Sequence, residues 1–184
     1  LIFDKLTELG VENIQRYEPT TVAGYIHGKK GPGKTIAIRA DIDALAVTEE
    51  TGLPFSSEHT GFMHCCGHDM HVAMLLGVAK LLLAQREMFA GSVKLIFQHS
   101  EDTLPGGAKE LVEAGIMDDV DAIFGMHMYP DETAGRVMIH PGPLTTSVDL
   151  FDVTVVGKGG HGSTPHLTRD PILAACQMVV ALQQ

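Results

Sequence analysis

The sequence predicts an α/β sandwich built on a largely parallel sheet, and three observations carry that expectation. Short apolar runs at 22–27, 35–40, 92–98 and 121–126 alternate with helix-patterned stretches, the arrangement expected of strands joined by helical crossovers. Chemically distinctive side chains stand at the ends of those runs: Asp41 and Asp43, Glu101 and Asp102, and His127. In open α/β sheets, binding groups gather outside the carboxyl ends of the strands. The chain has 184 residues, 45 % hydrophobic and 20 % charged, ordinary values for a globular protein that buries a real core.

Taken in order, residues 1–9 carry apolar side chains at 1, 2, 3, 6 and 9 and stop at Gly10, a helix tail with a glycine stop. Runs 22–27 and 35–40 are two strands joined by the turn-rich Gly28-Lys29-Lys30-Gly31-Pro32-Gly33. After a loop holding Thr51-Gly52-Leu53-Pro54, the longest helix runs from 69 to about 89, with Val72, Leu75, Leu76, Ala79, Leu82 and Leu83 at helical spacing. Residues 92–98 form an apolar strand, 108–114 a short helix closed by Gly115, and 121–126 another buried strand. The character changes at His140-Pro141-Gly142-Pro143, a natural hinge. Domains of 1–143 and 144–184 are therefore expected. In the second, 150–156 alternates as a strand, a loop spans 157–168, and a helix opens near Asp170 with Pro171 in its first turn and runs on through Gln184. A single βα piece cannot cover its own apolar face, so this segment is expected to open a smaller domain.

Bulk properties exclude some functions. The net charge of −10 argues against a nucleic-acid partner, because phosphate contacts need a basic surface. Three cysteines, two of them adjacent, make no disulfide framework and point to a reducing, cytoplasmic setting. No apolar stretch approaches the roughly 20 residues needed to span a bilayer. The chain opens on Leu1-Ile2-Phe3 without an initiator Met, so its true N-terminus is expected upstream.

The most informative stretch is His64-Cys65-Cys66-Gly67-His68-Asp69. A thiol and an imidazole spaced Cys-Gly-His suit a transition metal such as zinc, manganese, cobalt or nickel. No paired Cys-x-x-Cys spacing accompanies them, which favours an open catalytic site over a closed structural one. Cys65 is not expected to be a ligand, since adjacent cysteines do not normally both reach one ion. Cys176, on an apolar helix, is expected to be plain core. Glu101 and Asp102 end an apolar strand, where neighbouring carboxylates repel and call for a cation. One would bind the metal while the other takes a proton from water. Gly157-Lys158-Gly159-Gly160-His161-Gly162 satisfies the dinucleotide pattern formally, but that pattern must open into a helix, and Ser163-Thr164-Pro165 breaks the chain instead. Flexible glycines around His161 rather let its imidazole project from a loop.

With these clusters in order, the chain resembles the aminoacylase/carboxypeptidase family of two-metal peptidases, in its amidohydrolase branch. The resemblance is carried by Arg39-Ala40-Asp41-Ile42-Asp43-Ala44-Leu45, Glu49-Glu50-Thr51-Gly52-Leu53-Pro54-Phe55, and Met63-His64-Cys65-Cys66-Gly67-His68-Asp69. It continues through Phe97-Gln98-His99-Ser100-Glu101-Asp102, Pro105-Gly106-Gly107-Ala108-Lys109, Ile123-Phe124-Gly125-Met126-His127, and Gly157-Lys158-Gly159-Gly160-His161 to Asp170-Pro171.

That resemblance implies a three-layer sandwich of zinc-exopeptidase type with a mixed, largely parallel sheet, followed by the start of an α+β lid and dimerisation domain. It implies two divalent metal ions (Zn, Mn, Co or Ni), with Cys66, His68, Asp102 and His127 as ligands. Glu101 matches the general base, and Asp43 the residue that orients a ligating histidine. His161 matches a lid histidine that reaches the partner subunit's site and steadies the oxyanion, which implies a homodimer. The implied activity is hydrolysis of the amide bond of N-acyl amino acids or similar small amides. A dipeptidase or carboxypeptidase is the nearest alternative, and a non-catalytic binding or dimerisation relative the more distant one. Three departures accompany the match. Asp stands at 102 where the family usually has Glu. A further metal-ligating histidine, which members of this branch carry near the C-terminus of a longer chain, is absent here, as is the second half of the lid. His71 and His99 lie near the metals with no assigned role.

Overall fold

The computed structural model describes residues 1–183. They form two compact units, the first Leu1–Ala134 and the second from Gly135 on.

In the first unit, helix α1 (Ile2–Leu9) closes on Gly10 and leads into strand β1 (Glu12–Tyr17). Strands β2 (Thr21–His27) and β3 (Thr35–Asp41), helix α2 (His68–Ala84), strand β4 (Ser92–Gln98), helix α3 (Gly107–Glu113) and strand β5 (Ala122–Gly125) follow. The strands form one mixed sheet in the order β1-β2-β4-β3-β5. β4, β3 and β5 run parallel, while β2 is antiparallel to both β1 and β4. The parallel trio lines up Asp41 beside Gln98 and Arg39 beside Gly125. Everything that follows these three strands is thereby delivered to one edge of the sheet.

Strand periodicity of two splits the core between the faces. Leu95 and Phe97 of β4, with Val22, Ile26 and Ala40, meet Leu6 of α1 and Leu75 and Ala79 of α2. Ile96, Ala23 and Ala37 point the other way, against Leu111 of α3 and Ile116. This is the expected three-layer sandwich. Lys94 lies on that second face and is buried. It donates to the Ile116 carbonyl at 2.5 Å and to Asp119 at 2.7 Å, with Tyr25 beneath it.

Three sequence expectations are corrected here, and one strand lay outside them. β1 was not anticipated, because Glu-Asn-Ile-Gln-Arg-Tyr has no apolar run, as suits an edge strand paired on one side only. The long helix stops at Ala84 rather than near 89. Gln85 leaves the helical region, and Arg86 opens a 3₁₀ turn while donating to the His27 carbonyl at 2.9 Å and pairing with Glu12. β5 is exposed, not buried, because it is the outer strand of the sheet among the described residues. The alternating segment 150–156 forms no ladder, since alternation supplies a face but not a partner.

The second unit holds an antiparallel bridge, with Lys158 N–H donating to the Arg169 carbonyl at 2.9 Å and Arg169 N–H to that of Lys158 at 3.0 Å. Helix α4 (Pro171–Ala181) starts as expected, its Asp170 side chain accepting from Ile172 N–H at 2.9 Å. It ends at Ala181, and Gln184 lies outside the described residues. Cys176 on α4 is exposed rather than core, for α4 buries none of its residues. No described helix is long and apolar enough to cross a membrane.

Candidate metal centre

The centre is assembled where β4, β3 and β5 end. β3 delivers Asp41 and, just beyond it, Asp43. The turn after β4 delivers Glu101 and Asp102, and the exit of β5 delivers His127. Cys66 and His68 come from the start of α2, on either side of Gly67. That glycine has φ 86°, and a Cβ there would stand 3.3 Å from Met128 Cβ. Only a left-handed residue allows the chain to turn so tightly that the thiol and the first helical imidazole face one space.

The acidic turn is fixed from the side of α3. His99 is buried; its backbone N–H donates to Thr21 Oγ1 at 3.0 Å, and its Nδ1 meets the same hydroxyl at 2.6 Å. A Cβ on Gly107 would fall 2.3 Å from the His99 carbonyl oxygen, so α3 can start there only with glycine. Ser100, next to Glu101, sits at φ 49°, a conformation that costs about 1–3 kcal/mol and tends to occur at functional turns.

Hydrogen bonds assign the histidine tautomers. A carbonyl oxygen can only accept. His68 Nδ1–H therefore donates to the Asp43 carbonyl at 3.0 Å and its carboxylate at 3.1 Å. His127 Nδ1–H likewise donates to the Met128 carbonyl at 2.7 Å. Both rings are left with a bare Nε2, the form in which imidazole binds metals. His127 Nε2 lies 3.4 Å from Cys66 Sγ. His68 Nε2 is buried with no hydrogen-bond partner among the described residues. It lies 3.7 Å from Asp41 Oδ2, 3.8 Å from Glu101 Oε2 and 3.9 Å from Asp102 Oδ2.

These separations carry information. At 3.7–3.9 Å the groups are too far apart to hydrogen-bond. Two metal–donor bonds of about 2.0–2.2 Å, however, reach across up to about 4.2 Å. For one sulfur and one nitrogen at a tetrahedral angle the expected spacing is about 3.5 Å, close to the 3.4 Å between Cys66 and His127. Leaving the buried nitrogen unpaired costs about 1–3 kcal/mol, and a cation removes that cost. The set of thiol, imidazoles and carboxylates fits borderline divalent ions. Sets of donor atoms within 4.8 Å of one another are Cys66, His68 and His127; Asp43, His68 and Asp102; and Asp41, His68 and His71.

The electrostatics of the centre are those of a crowded acidic cluster. Burial pushes the Cys66 thiol up, and the carboxylates of Asp102, Glu101 and Asp41, with Cys65, push it the same way. Burial also raises Asp43. Donation from the backbone N–H groups of Asp102, Glu101 and Asp43 itself, with His68 nearby, outweighs that and holds its carboxyl below the usual range. Asp43 Oδ2 accepts from Asp102 N–H at 3.0 Å while Oδ1 takes the His68 ring. One carboxylate thus ties an imidazole to the acidic turn.

Of the residues singled out from sequence, Cys66, His68, Asp102, His127, Asp43 and Glu101 converge here. Cys65 is exposed. His161 lies in the second unit, where its Nδ1 meets Ser163 Oγ at 2.8 Å. The sequence reading missed the tie between Asp41 and His71, at 2.5 Å between Oδ1 and Nδ1. The three-residue spacing of His68 and His71 on one helix face was the available signal.

A sheet edge that gathers thiol, imidazole and carboxylate donors around a buried, unpaired imidazole nitrogen defines a metal-binding α/β protein. Residues 37–183 match the profile of Peptidase family M20/M25/M40, and the chain belongs to that family. It is 48 % identical over 184 residues to thermostable carboxypeptidase 1 of Saccharolobus solfataricus, covering 99 % of this chain and 47 % of that protein. It is 42 % identical over 182 residues to the N-acyl-L-amino acid amidohydrolase of Geobacillus stearothermophilus, covering 99 % and 49 %. Among solved structures, the Bacillus subtilis YXEP protein, described as a dinuclear metal binding peptidase, superposes with a TM-score of 0.66 at 45 % identity, over 71 % of this chain and 36 % of that one. The chain spans about half the length of the curated relatives it matches.

Proposed function

We propose that this chain carries the metal-binding core of a hydrolase that cleaves the amide bond of N-acyl amino acids or similar small amides. The observation behind the proposal is the buried, unpaired His68 Nε2 facing the carboxylates of Asp41, Glu101 and Asp102, next to Cys66 and His127. Cys66, His68, Asp102 and His127 would hold two divalent ions. Asp43, with both carboxylate oxygens engaged, orients His68 rather than binding metal itself. When bound, such ions supply Lewis-acid polarisation of the amide carbonyl and bring the pKa of water towards neutrality.

The chain's own groups do the proton work. Glu101 is partly open to solvent, at 39 % side-chain exposure, with its Oε2 turned to the same space as His68 Nε2. It accepts a proton from the attacking water and returns it to the leaving amine, the role of a general acid–base. Asp43 accepts from the backbone N–H groups of Asp102 and Glu101, so both carboxylates are presented from one tethered turn, with the Glu101 side chain the more open of the two. The same proposal makes 144–184 the start of a lid and dimerisation domain, with His161 as the residue that steadies the oxyanion across a homodimer. It also places the protein in a reducing, cytoplasmic setting, which the free Cys65, Cys66 and Cys176 favour.

Glu101→Gln tests the assignment. Metal content measured by atomic absorption should persist, while turnover of N-acetyl amino acids falls about 10²–10⁴-fold. Undiminished turnover would remove Glu101 from the mechanism. Identity to a named carboxypeptidase favours peptides as a second substrate class, so the panel should include hippurate and dipeptides.

A further inference from the structure

We propose that Asp41 and His71 form a buried positioning pair that holds His127 in place for metal binding, through the backbone of Met128. The inference rests on the metal-centre reading above.

His127 has little support of its own. It follows β5, a four-residue outer strand exposed along its length, and is itself exposed. The buried group that reaches this segment is His71, whose Nε2 accepts from Met128 N–H at 2.9 Å. Met128 in turn takes the His127 ring on its carbonyl at 2.7 Å. One peptide unit is thus gripped from the protein interior on its N–H side, while the residue's own carbonyl aims the imidazole. The His127 ring stands edge-on to that of His71, with centroids 4.7 Å apart.

For His71 Nε2 to accept, its proton must sit on Nδ1, and Asp41 keeps it there. Asp41 is 1 % exposed and spends Oδ1 on His71 Nδ1–H at 2.5 Å and Oδ2 on Arg39 at 2.7 Å. Arg39 Nε is anchored on Gln98 Oε1 at 2.9 Å. The chain of bonds therefore runs from the end of β4 through β3 and α2 to the exit of β5, linking the strands that supply the centre. Both nitrogens of His71 are occupied, so it does not ligate, although Asp41, His68 and His71 also satisfy a metal-donor spacing.

Asp41→Asn discriminates between these roles. With its amide oxygen held by Arg39, the new NH₂ faces His71, moves the ring proton to Nε2, and turns an acceptor for Met128 N–H into a competing donor. The purified protein loaded with Co²⁺ should then show a metal affinity lowered about 10–100-fold in chelator competition, with a weakened or shifted Cys66 thiolate-to-cobalt band. His71→Gln, whose side-chain oxygen replaces Nε2 as acceptor, should retain more affinity than His71→Asn, which keeps only the donor to Asp41. This second pair of variants decides the matter if Asp41→Asn does not fold. Equal and wild-type affinities and spectra in Asp41→Asn and His71→Asn would overturn the proposal, as would equal loss of a bound ion from both His71 variants, which would make His71 a ligand. A wild-type protein with no thiolate–cobalt band would instead overturn the metal-centre reading, and this inference with it.

Discussion

At the scale of single residues, the buried polar groups around His68 and around Lys94 are of opposite design. Around His68 one bare ring nitrogen is left without a hydrogen-bond partner among the described residues and acidic groups gather, as in a site built for a cation. Around Lys94 the charge is already balanced. Burial lowers its pKa, but Asp119 and Tyr25 outweigh that and raise it above the ordinary lysine value, while Asp119 is held below the usual carboxylate range despite its own burial. A depressed folded-state carboxyl contributes stability above its unfolded pKa of about 3.9, and loses it as pH falls through the folded value. Lys94 contributes below its unfolded value of about 10.4 and loses it as pH rises through the raised one. Asp119→Asn should therefore lower stability near pH 7 by only about 1 kcal/mol, because the Asp119 side chain is 47 % exposed. The difference from wild type should vanish in urea titrations carried out below the acid limb. A difference that stays constant down to the lowest pH would show that the ion pair is not its source.

At the scale of elements, α2 is the piece on which the centre depends. Its apolar residues bury it against the sheet through Leu75 and Ala79, while its first turn presents His68 and His71 inward. Gly67 joins these two tasks. Gly67→Ala places a side chain at φ 86° against Met128, at a cost of about 1–2 kcal/mol, measurable by chemical denaturation. Metal affinity should fall as well, because Cys66 and His68 would no longer converge. An alanine variant with wild-type stability would mean that the turn relaxes freely. The contrast with α4 is instructive. Its start was readable from Asp170-Pro171 because capping is local chemistry. Its apolar surface said nothing about whether Cys176 would be covered.

At the scale of the whole molecule, the centre couples distant segments of chain, so a bound ion should act as a staple. Ligand at about 100 times its Kd stabilises the native state by about 2.7 kcal/mol. Chelator treatment should therefore lower the thermal midpoint, and Zn²⁺ or Co²⁺ should restore it. A midpoint indifferent to both would argue against any tight metal. The residues that meet at the centre were legible in the linear string: Cys66, His68, Asp43, Glu101, Asp102 and His127 each stand at the end of a recognisable apolar or helical run. Less was legible where the deciding partner lay far away in sequence. β1 escaped notice because an edge strand needs no apolar run, β5 looked buried because its composition is apolar, and 150–156 looked like a strand without having one to pair with. By itself, then, the order of residues determined local chemistry: turns, caps, periodicity, and which side chains could ligate or move a proton. Tertiary structure alone decided that Asp41 would meet His71, that His68 would keep a bare nitrogen, and that β4, β3 and β5 would end side by side. Those are non-local pairings, and their free energy comes from burial and sheet hydrogen bonding that no short stretch of sequence contains.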